Sequence, residues 1–261
     1  MEPAFYLLAT LFGAVVGSFL NVVILRLPNE EASIVFPGSH CPQCQAPLHW
    51  YDNIPVLSYL VLGGRCRACR GRISSQYPLV EMAMAALSAL LFQRFGPSFE
   101  FGLYFLFFAT LLVIIFIDIH HQIIPDSISL PGILIGFAAS FGNDLVSWQQ
   151  SGLGILCGGG LLYAVAYGYY AITGREGMGG GDIKLLAMIG AFLGWQSLLF
   201  VVFSSSLTGS LVGVVAMVKL GKRGQTRIPY GPFLALGAIS YLLCQRQIDQ
   251  LWHWYLAASG L

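Results

Sequence analysis

Two aspartates carry the groups best suited to chemistry in an otherwise apolar chain. Asp182 heads an apolar stretch behind a run of glycines, in Gly177-Met178-Gly179-Gly180-Gly181-Asp182-Ile183-Lys184. Asp118 closes another, in Ile117-Asp118-Ile119-His120-His121-Gln122-Ile123-Ile124-Pro125-Asp126. An ionisable residue at such a boundary is costly to keep and marks a functional site by default. Two carboxylates brought together can hydrolyse a peptide bond. The ionised one takes a proton from water, and the protonated one donates a hydrogen bond to the scissile carbonyl. Like charges at short range share one proton, so the pair titrates as a unit. Gly179, Gly180 and Gly181 suit this work, because without side chains they let a substrate backbone come close and can hold Asp182 just before a helix. Such a loop can move, so an empty enzyme could hold its aspartates too far apart to react.

Each feature taken alone has a plainer reading. Asp182 is a favoured residue for a helix N-cap, and so is Asp126, which follows Pro125 and precedes an apolar run. For Asp126 capping is preferred over catalysis. His120 and His121 fit solvated residues of a short connection better than metal ligands or proton carriers. Lys184 either biases the ionisation of the pair or extends to the membrane surface. Glu81, just inside the second apolar span, is costly at depth and is a further functional candidate. It is the pairing of Asp118 with Asp182, at the ends of two different spans, that favours catalysis.

The elements that position these groups are membrane helices. Hydrophobic residues make up 56% and charged residues 10% of the 261 residues. A soluble domain carries about a quarter charged residues, so the chain belongs to the membrane class. The net charge of +1 gives nucleic-acid binding no electrostatic support. Apolar segments fall near 4–25, 78–95, 101–117, 127–142, 153–172, 183–194, 197–218 and 231–245, which predicts an all-α polytopic membrane protein of about eight transmembrane helices. The segment after Asp182 is short for a span and is expected to tilt or to turn back at Gly194-Trp195-Gln196. The run Phe5 to Leu25 is long enough to span and is preceded only by Glu2, so it reads as a retained span with Arg26 in the cytosol. Trp252, Trp254 and Tyr255 suit an interface. Gly13-Ala14-Val15-Val16-Gly17 and Gly158-Gly159-Gly160 suit close helix packing in lipid, and Cys157 and Cys244 ordinary apolar packing.

Basic residues set the orientation. Arg65, Arg67, Arg70, Arg72, Arg175, Lys219, Lys222, Arg223 and Arg227 fall on one side if eight spans alternate, and Arg94 and Arg246 on the other. The positive-inside rule makes the first side cytosolic, and both aspartates land there.

One long polar connection, 28–76, separates spans 1 and 2. It holds Cys41-Pro42-Gln43-Cys44 and Cys66-Arg67-Ala68-Cys69. Two CxxC pairs at this separation suit a zinc-ribbon-like loop, in which Cys41, Cys44, Cys66 and Cys69 hold a structural Zn²⁺ with no open coordination position. Two disulfides are the alternative; a cytosolic loop favours zinc because thiols stay reduced there. Asp52, Asn53 and Trp50 lie between the pairs as surface-loop residues. The chain thus divides into 1–96, spans 1 and 2 with the cysteine loop, and 97–261, which holds the aspartates.

In this order the motifs resemble those of the bacterial type 4 prepilin peptidases. Gly17-Ser18-Phe19-Leu20-Asn21-Val22-Val23-Ile24 is similar to the family's first-span signature. The cysteine loop follows with Trp50-Tyr51-Asp52-Asn53-Ile54-Pro55 between its pairs, then Gln76-Tyr77-Pro78-Leu79-Val80-Glu81 at the second span, and the two aspartate segments, Asp118 to Asp126 and Gly179 to Lys184. The resemblance covers nearly the whole chain. It implies a multi-pass aspartic peptidase of the GxGD type in the bacterial inner membrane. Such enzymes cut the leader from prepilins and type II secretion pseudopilins at the cytosolic face, after a glycine and usually before a phenylalanine. The family's catalytic aspartates correspond to Asp118 and Asp182. Many members also methylate the new N-terminus with S-adenosylmethionine, an activity linked to the cysteine-containing N-terminal half. Two other classes compete: an ion-coupled transporter using intramembrane carboxylates, and a methyltransferase or assembly scaffold without protease activity. The transporter reading leaves the cysteine loop without a role, and the scaffold reading leaves both aspartates without one.

Overall fold

The computed structural model describes residues 3–28, 33, 35, 36, 38–175, 179–220 and 228–259, with the side chains of residues 220, 249 and 251–259 outside that description. Gly177 and Met178 of the glycine run, Glu2, and Lys222, Arg223 and Arg227 of the orientation argument also lie outside the described residues.

Among the described residues the fold is helical, without strands. The α-helices are α1 (Pro3–Arg26), α2 (Leu57–Val61), α3 (Gln76–Phe95), α4 (Phe99–His121), α5 (Asp126–Ala139), α6 (Trp148–Thr173), α7 (Gly180–Leu193), α8 (Gln196–Leu220) and α9 (Gly231–Ser259), with a 3-10 turn at Trp50–Asn53. The chain forms two compact units, Met1–Ile117 and Asp118–Leu261, which divide within α4. Each of the eight predicted apolar segments is a helix. Among the described residues five are long and apolar enough to cross a membrane: Pro3–Arg26, Gln76–Phe95, Phe99–His121, Trp148–Thr173 and Gln196–Lys219. Helix α9 runs well past the expected end of its apolar span at residue 245. The polar residues Gln245-Arg246-Gln247 end the hydrophobic pattern but are good helix formers, so the helix continues through them. The side chains of Trp252, Trp254 and Tyr255 are outside the described residues.

In the first unit α1 packs on α3 through small residues. A Cβ on Gly13 would lie 2.6 Å from Ser88 Cβ and 2.7 Å from Met84 O, and one on Gly17 would lie 2.8 Å from Glu81 Cα. Only glycine allows this approach. Polar groups lock the contact where no water competes: Ser88 Oγ donates to Ala9 O at 2.7 Å and Asn21 Nδ2 to Tyr77 O at 3.2 Å.

In the second unit everything surrounds α7. At 14 residues it extends only about 21 Å, short of a bilayer core of about 30 Å. It does not stand in lipid alone: every residue from Leu185 to Leu193 is buried. Glycines of α5 and α6 make the walls. Gly132 meets Met188, Gly136 meets Phe192 and Ala191, Gly154 meets the backbone of Gly190, and Gly158 meets the carbonyl of Leu186. Gly160 faces open space instead, so the close-packing role of the Gly158-Gly159-Gly160 run does not extend to its last member. Ser151 Oγ donates to Ala191 O at 2.8 Å. Helix α7 stops at Gly194, whose φ of +76° turns the chain into α8, at the predicted Gly194-Trp195-Gln196.

These contacts rank substitutions. Gly154→Leu has the Gly190 backbone where its side chain must go, and should lower stability by roughly 1–3 kcal/mol or more. Gly160→Leu should leave the thermal midpoint in detergent close to that of the parent protein.

Candidate active site

Asp118 lies one turn before the end of α4 and is only 5% exposed. Its backbone carbonyl accepts Gln122 N–H at 2.9 Å, and Gln122, at φ 55°, ends the helix in a left-handed turn. The chain then runs extended through Pro125, the N-cap of α5. The carboxylate is held from another element: Oδ2 accepts the backbone N–H of Gly231, the first residue of α9, at 3.0 Å. A Cβ on Gly231 would lie 2.6 Å from that oxygen. The start of α9 is fixed in turn by Tyr230, whose hydroxyl lies 2.8 Å from Ser205 Oγ and 3.1 Å from Ser206 Oγ of α8.

Asp182 lies in the first turn of α7, with Gly179 as the N-cap and no side-chain cap. Its carboxylate is therefore not spent on capping, and it is near enough to Asp118 to feel that charge. Ile124 fits between the two elements: it lies 2.9 Å from where a Cβ on Gly181 would be and 3.1 Å from one on Gly231. The end of α4, the 122–125 connection and the starts of α7 and α9 thus converge within the second unit.

Neighbouring residues take other parts. Asp126 is the first residue of α5 and makes no side-chain cap, contrary to the capping expectation. Lys184 Nζ claims it instead, 2.7 Å from each carboxylate oxygen, while the charge still complements the helix N-terminus. This pair ties α5 to α7 two residues from Asp182. His120 and His121 are exposed in the last turn of α4 rather than in a loop. Gly231 escaped the sequence reading; its signal was a glycine between Tyr230 and Pro232 at a helix start, which looked only like the edge of the last span.

The first unit holds a second cluster. The sulfurs of Cys41, Cys44, Cys66 and Cys69 all lie within 4.8 Å of one another, and none is in a disulfide. Cys41 Sγ is 3.9 Å from Cys69 Sγ, near the edge of about 3.8 Å that a tetrahedron with Zn–S bonds of about 2.3 Å requires. Both CxxC segments form the same knuckle. Gln45 N–H donates to Cys41 O and Arg70 N–H to Cys66 O, and Gln45 and Arg70 take matching φ values of 59° and 60°. The Cys41 thiol is pushed down to about 6, first by the backbone N–H of Cys44 and then by that of Gln43, which favours the ligating thiolate. The donor set fits a metal ion.

Asp52 is more than a surface residue. Its side chain is 4% exposed, and Oδ1 accepts Arg67 Nε at 2.9 Å and Nη2 at 2.7 Å, which ties the segment between the knuckles to the second one. Glu81 is buried and accepts Val56 N–H at 2.7 Å.

Comparison with known proteins places this architecture. The bacterial peptidase A24 N-terminal domain matches residues 11–95, and the type IV leader peptidase family matches residues 105–214. The chain is 39% identical to the prepilin leader peptidase/N-methyltransferase of Pseudomonas putida, with 90% of each chain covered. This chain belongs to the type IV leader peptidase family. The protein of the same description from Pseudomonas aeruginosa is 38% identical over 98% of this chain and 95% of its own. That of Myxococcus xanthus is 39% identical over 85% of this chain and 66% of its own. No solved structure matches the chain. Nothing in these comparisons favours a transporter.

The Gly231 contact in this leader peptidase relative has a structural consequence. Gly231→Ala adds a methyl group where Asp118 Oδ2 and Ile124 already lie, and should cost about 1–3 kcal/mol. Thermal unfolding of the purified variant in detergent measures it.

Proposed function

We propose that this protein removes the short N-terminal leader of type IV prepilins and type II secretion pseudopilins, cutting after a glycine, and N-methylates the new N-terminus. The observation that carries the reading is that the helix ends bearing Asp118 and Asp182 converge on Ile124 and Gly231, in a chain whose relatives are described as prepilin leader peptidases and N-methyltransferases. The work takes place at the cytosolic face of the bacterial inner membrane. The basic loops support that orientation. Residues 97–261 form the peptidase core, and residues 1–96 the portion with the cysteine loop.

Asp118 and Asp182 are the catalytic residues on this reading. The pair holds one proton; the ionised member takes a proton from the attacking water while the protonated member donates a hydrogen bond to the scissile carbonyl, and the proton taken from water then passes to the leaving amine as the C–N bond breaks. The Gly231 N–H occupies one oxygen of Asp118 and so orients the other. Among the described residues nothing lies within 4 Å of a would-be Cβ on Gly179 or Gly180, which suits an edge along which an extended leader can lie. Cys41, Cys44, Cys66 and Cys69 hold structural zinc, which cross-links the knuckles and offers no open position. S-adenosylmethionine, when bound, supplies an electrophilic methyl group to the newly released, unprotonated amine.

Asp118→Asn and Asp182→Asn should each lower leader removal by about a thousandfold or more while leaving the protein folded and inserted. The assay incubates purified enzyme with a prepilin and S-adenosylmethionine and weighs the product, so cleavage and methylation are read separately. Full cleavage by either variant rules out the pair.

Cys41→Ser should remove the bound metal and lower the thermal midpoint, by loss of the cross-link rather than of the hydrolytic groups. Metal analysis of the purified protein should find about one zinc per chain in the parent and little in the variant; a parent without zinc rules out the ligand assignment.

A further inference from the structure

The short helix α2 has the wrong face outward for a helix in water. Ser58 is buried and donates to Tyr51 O at 2.8 Å, whereas Leu57, Leu60 and Val61 are 55%, 67% and 73% exposed. Their i, i+3, i+4 spacing puts all three on one face. Trp50, in the 3-10 turn against which α2 packs, is 80% exposed. Scattered apolar side chains on a surface are ordinary, but a contiguous apolar face marks a contact.

The position of the helix says what that contact is. Val56, its N-cap, donates its N–H to Glu81 Oε2 at 2.7 Å. Glu81 lies in the second turn of α3, about 7 Å along the axis from its start. The same carboxylate accepts from Ser18, roughly two turns before the end of α1. Val56 takes φ 61° to make its bond, an angle a β-branched residue adopts only where its surroundings enforce it. Both α1 and α3 are long and apolar enough to cross a membrane. The start of α2 is therefore fastened between the ends of two spans, inside their limits rather than above them.

The charge of the adjoining segment agrees. Gly63 and Gly64, at φ 60° and 65°, turn the chain from α2 straight to Arg65. Arg65 pairs with Arg72 in an antiparallel bridge, and both are exposed. Residues directly opposite share a face, where like charges repel. Among the described residues neither arginine has an acidic partner. An anion shared between them would remove the repulsion.

We propose that α2 lies in the lipid surface, with Leu57, Leu60 and Val61 among the first acyl carbons and Arg65 and Arg72 on the phosphates of anionic headgroups. Trp50 suits the same interface. The first unit then has a third point of membrane attachment between α1 and α3, which keeps the cysteine knuckles at the bilayer surface. A protein partner fits less well, because it would have to displace lipid from a face held within the span ends. The inference stands without the cleavage and methylation readings.

The test uses the full-length protein in nanodiscs with two photoactivatable probes, a phosphatidylglycerol and a phosphatidylcholine. Each carries a diazirine at the headgroup end of an acyl chain, and adducts are mapped by mass spectrometry. Adducts should fall on 57–61 as well as on α8, whose exposed Leu199 and Phe203 serve as the internal standard. The phosphatidylglycerol probe should label 57–61 about fivefold more than the phosphatidylcholine probe, and Arg65→Gln with Arg72→Gln should bring the two to parity. Leu60→Glu with Val61→Glu should remove the adducts from 57–61 and keep those on α8. The map of the parent protein decides the matter even if a variant fails to fold. A parent labelled on α8 but not on 57–61 overturns the proposal. Loss of the 57–61 adducts when a prepilin is added assigns the face to a protein partner and overturns it too. Equal labelling by both probes in the parent overturns the arginine contact with anionic headgroups.

Discussion

The second unit depends on one constraint: a short helix with a carboxylate at its head must be covered by protein on every side. Helix α7 is too short to cross a bilayer, and lipid offers no partners to the groups at its ends. Side chains on facing helices would hold the walls away from it. Glycines on α6 let that wall close onto the α7 backbone and glycines on α5 make room for Met188, Ala191 and Phe192, so that Leu185 to Leu193 are buried and Asp182 is left at the open end. The burial that fixes the helix also fixes where its acid emerges.

Asp118 is governed by the same logic from the opposite direction. It ends a long apolar helix rather than starting a short one, so its carboxylate needs a donor from elsewhere. The first N–H of α9 supplies it, at an end of a helix whose unpaired amides favour a negative charge. Tyr230 secures that amide to α8, and Lys184 secures α7 to α5 through Asp126. Two tethers outside the acid pair therefore set the distance within it. Motion of α7 against α9 would change that distance without disturbing either helix internally, which is how a loop of glycines before Asp182 could serve closure on a substrate.

Much of this was legible in the sequence, because membrane helices announce themselves by hydropathy and the catalytic candidates by being acids where acids are costly. The eight helices, the short α7, its turn at Gly194 and the cysteine cluster all followed from local pattern. The contacts that orient the acids did not. Gly231 acts through its backbone, 113 positions from Asp118, and a backbone donor has no residue-type signature. Asp126 resembled a cap because Pro125 and an apolar run surround it, and nothing local could reveal that Lys184, on another helix, reaches it. Asp52 looked solvated because its neighbours are polar; its burial comes from Arg67, which folds back with the second knuckle. The end of α9 was missed for a different reason: hydropathy reports where a span ends, not where a helix ends.

The first unit meets a different physical problem. Between residues 38 and 75 only Cys41, Ser58 and Cys66 are buried, so no apolar core orders this stretch. Two matched knuckles, the Asp52–Arg67 link and the Glu81–Val56 bond do so instead. A segment of this kind draws its stability from cross-links, and with zinc on the four sulfurs, metal binding and folding become one equilibrium. The cysteines therefore act beyond the sulfurs themselves: the segment they order carries Val56, whose N–H reaches Glu81, and Asp52, which accepts from Arg67.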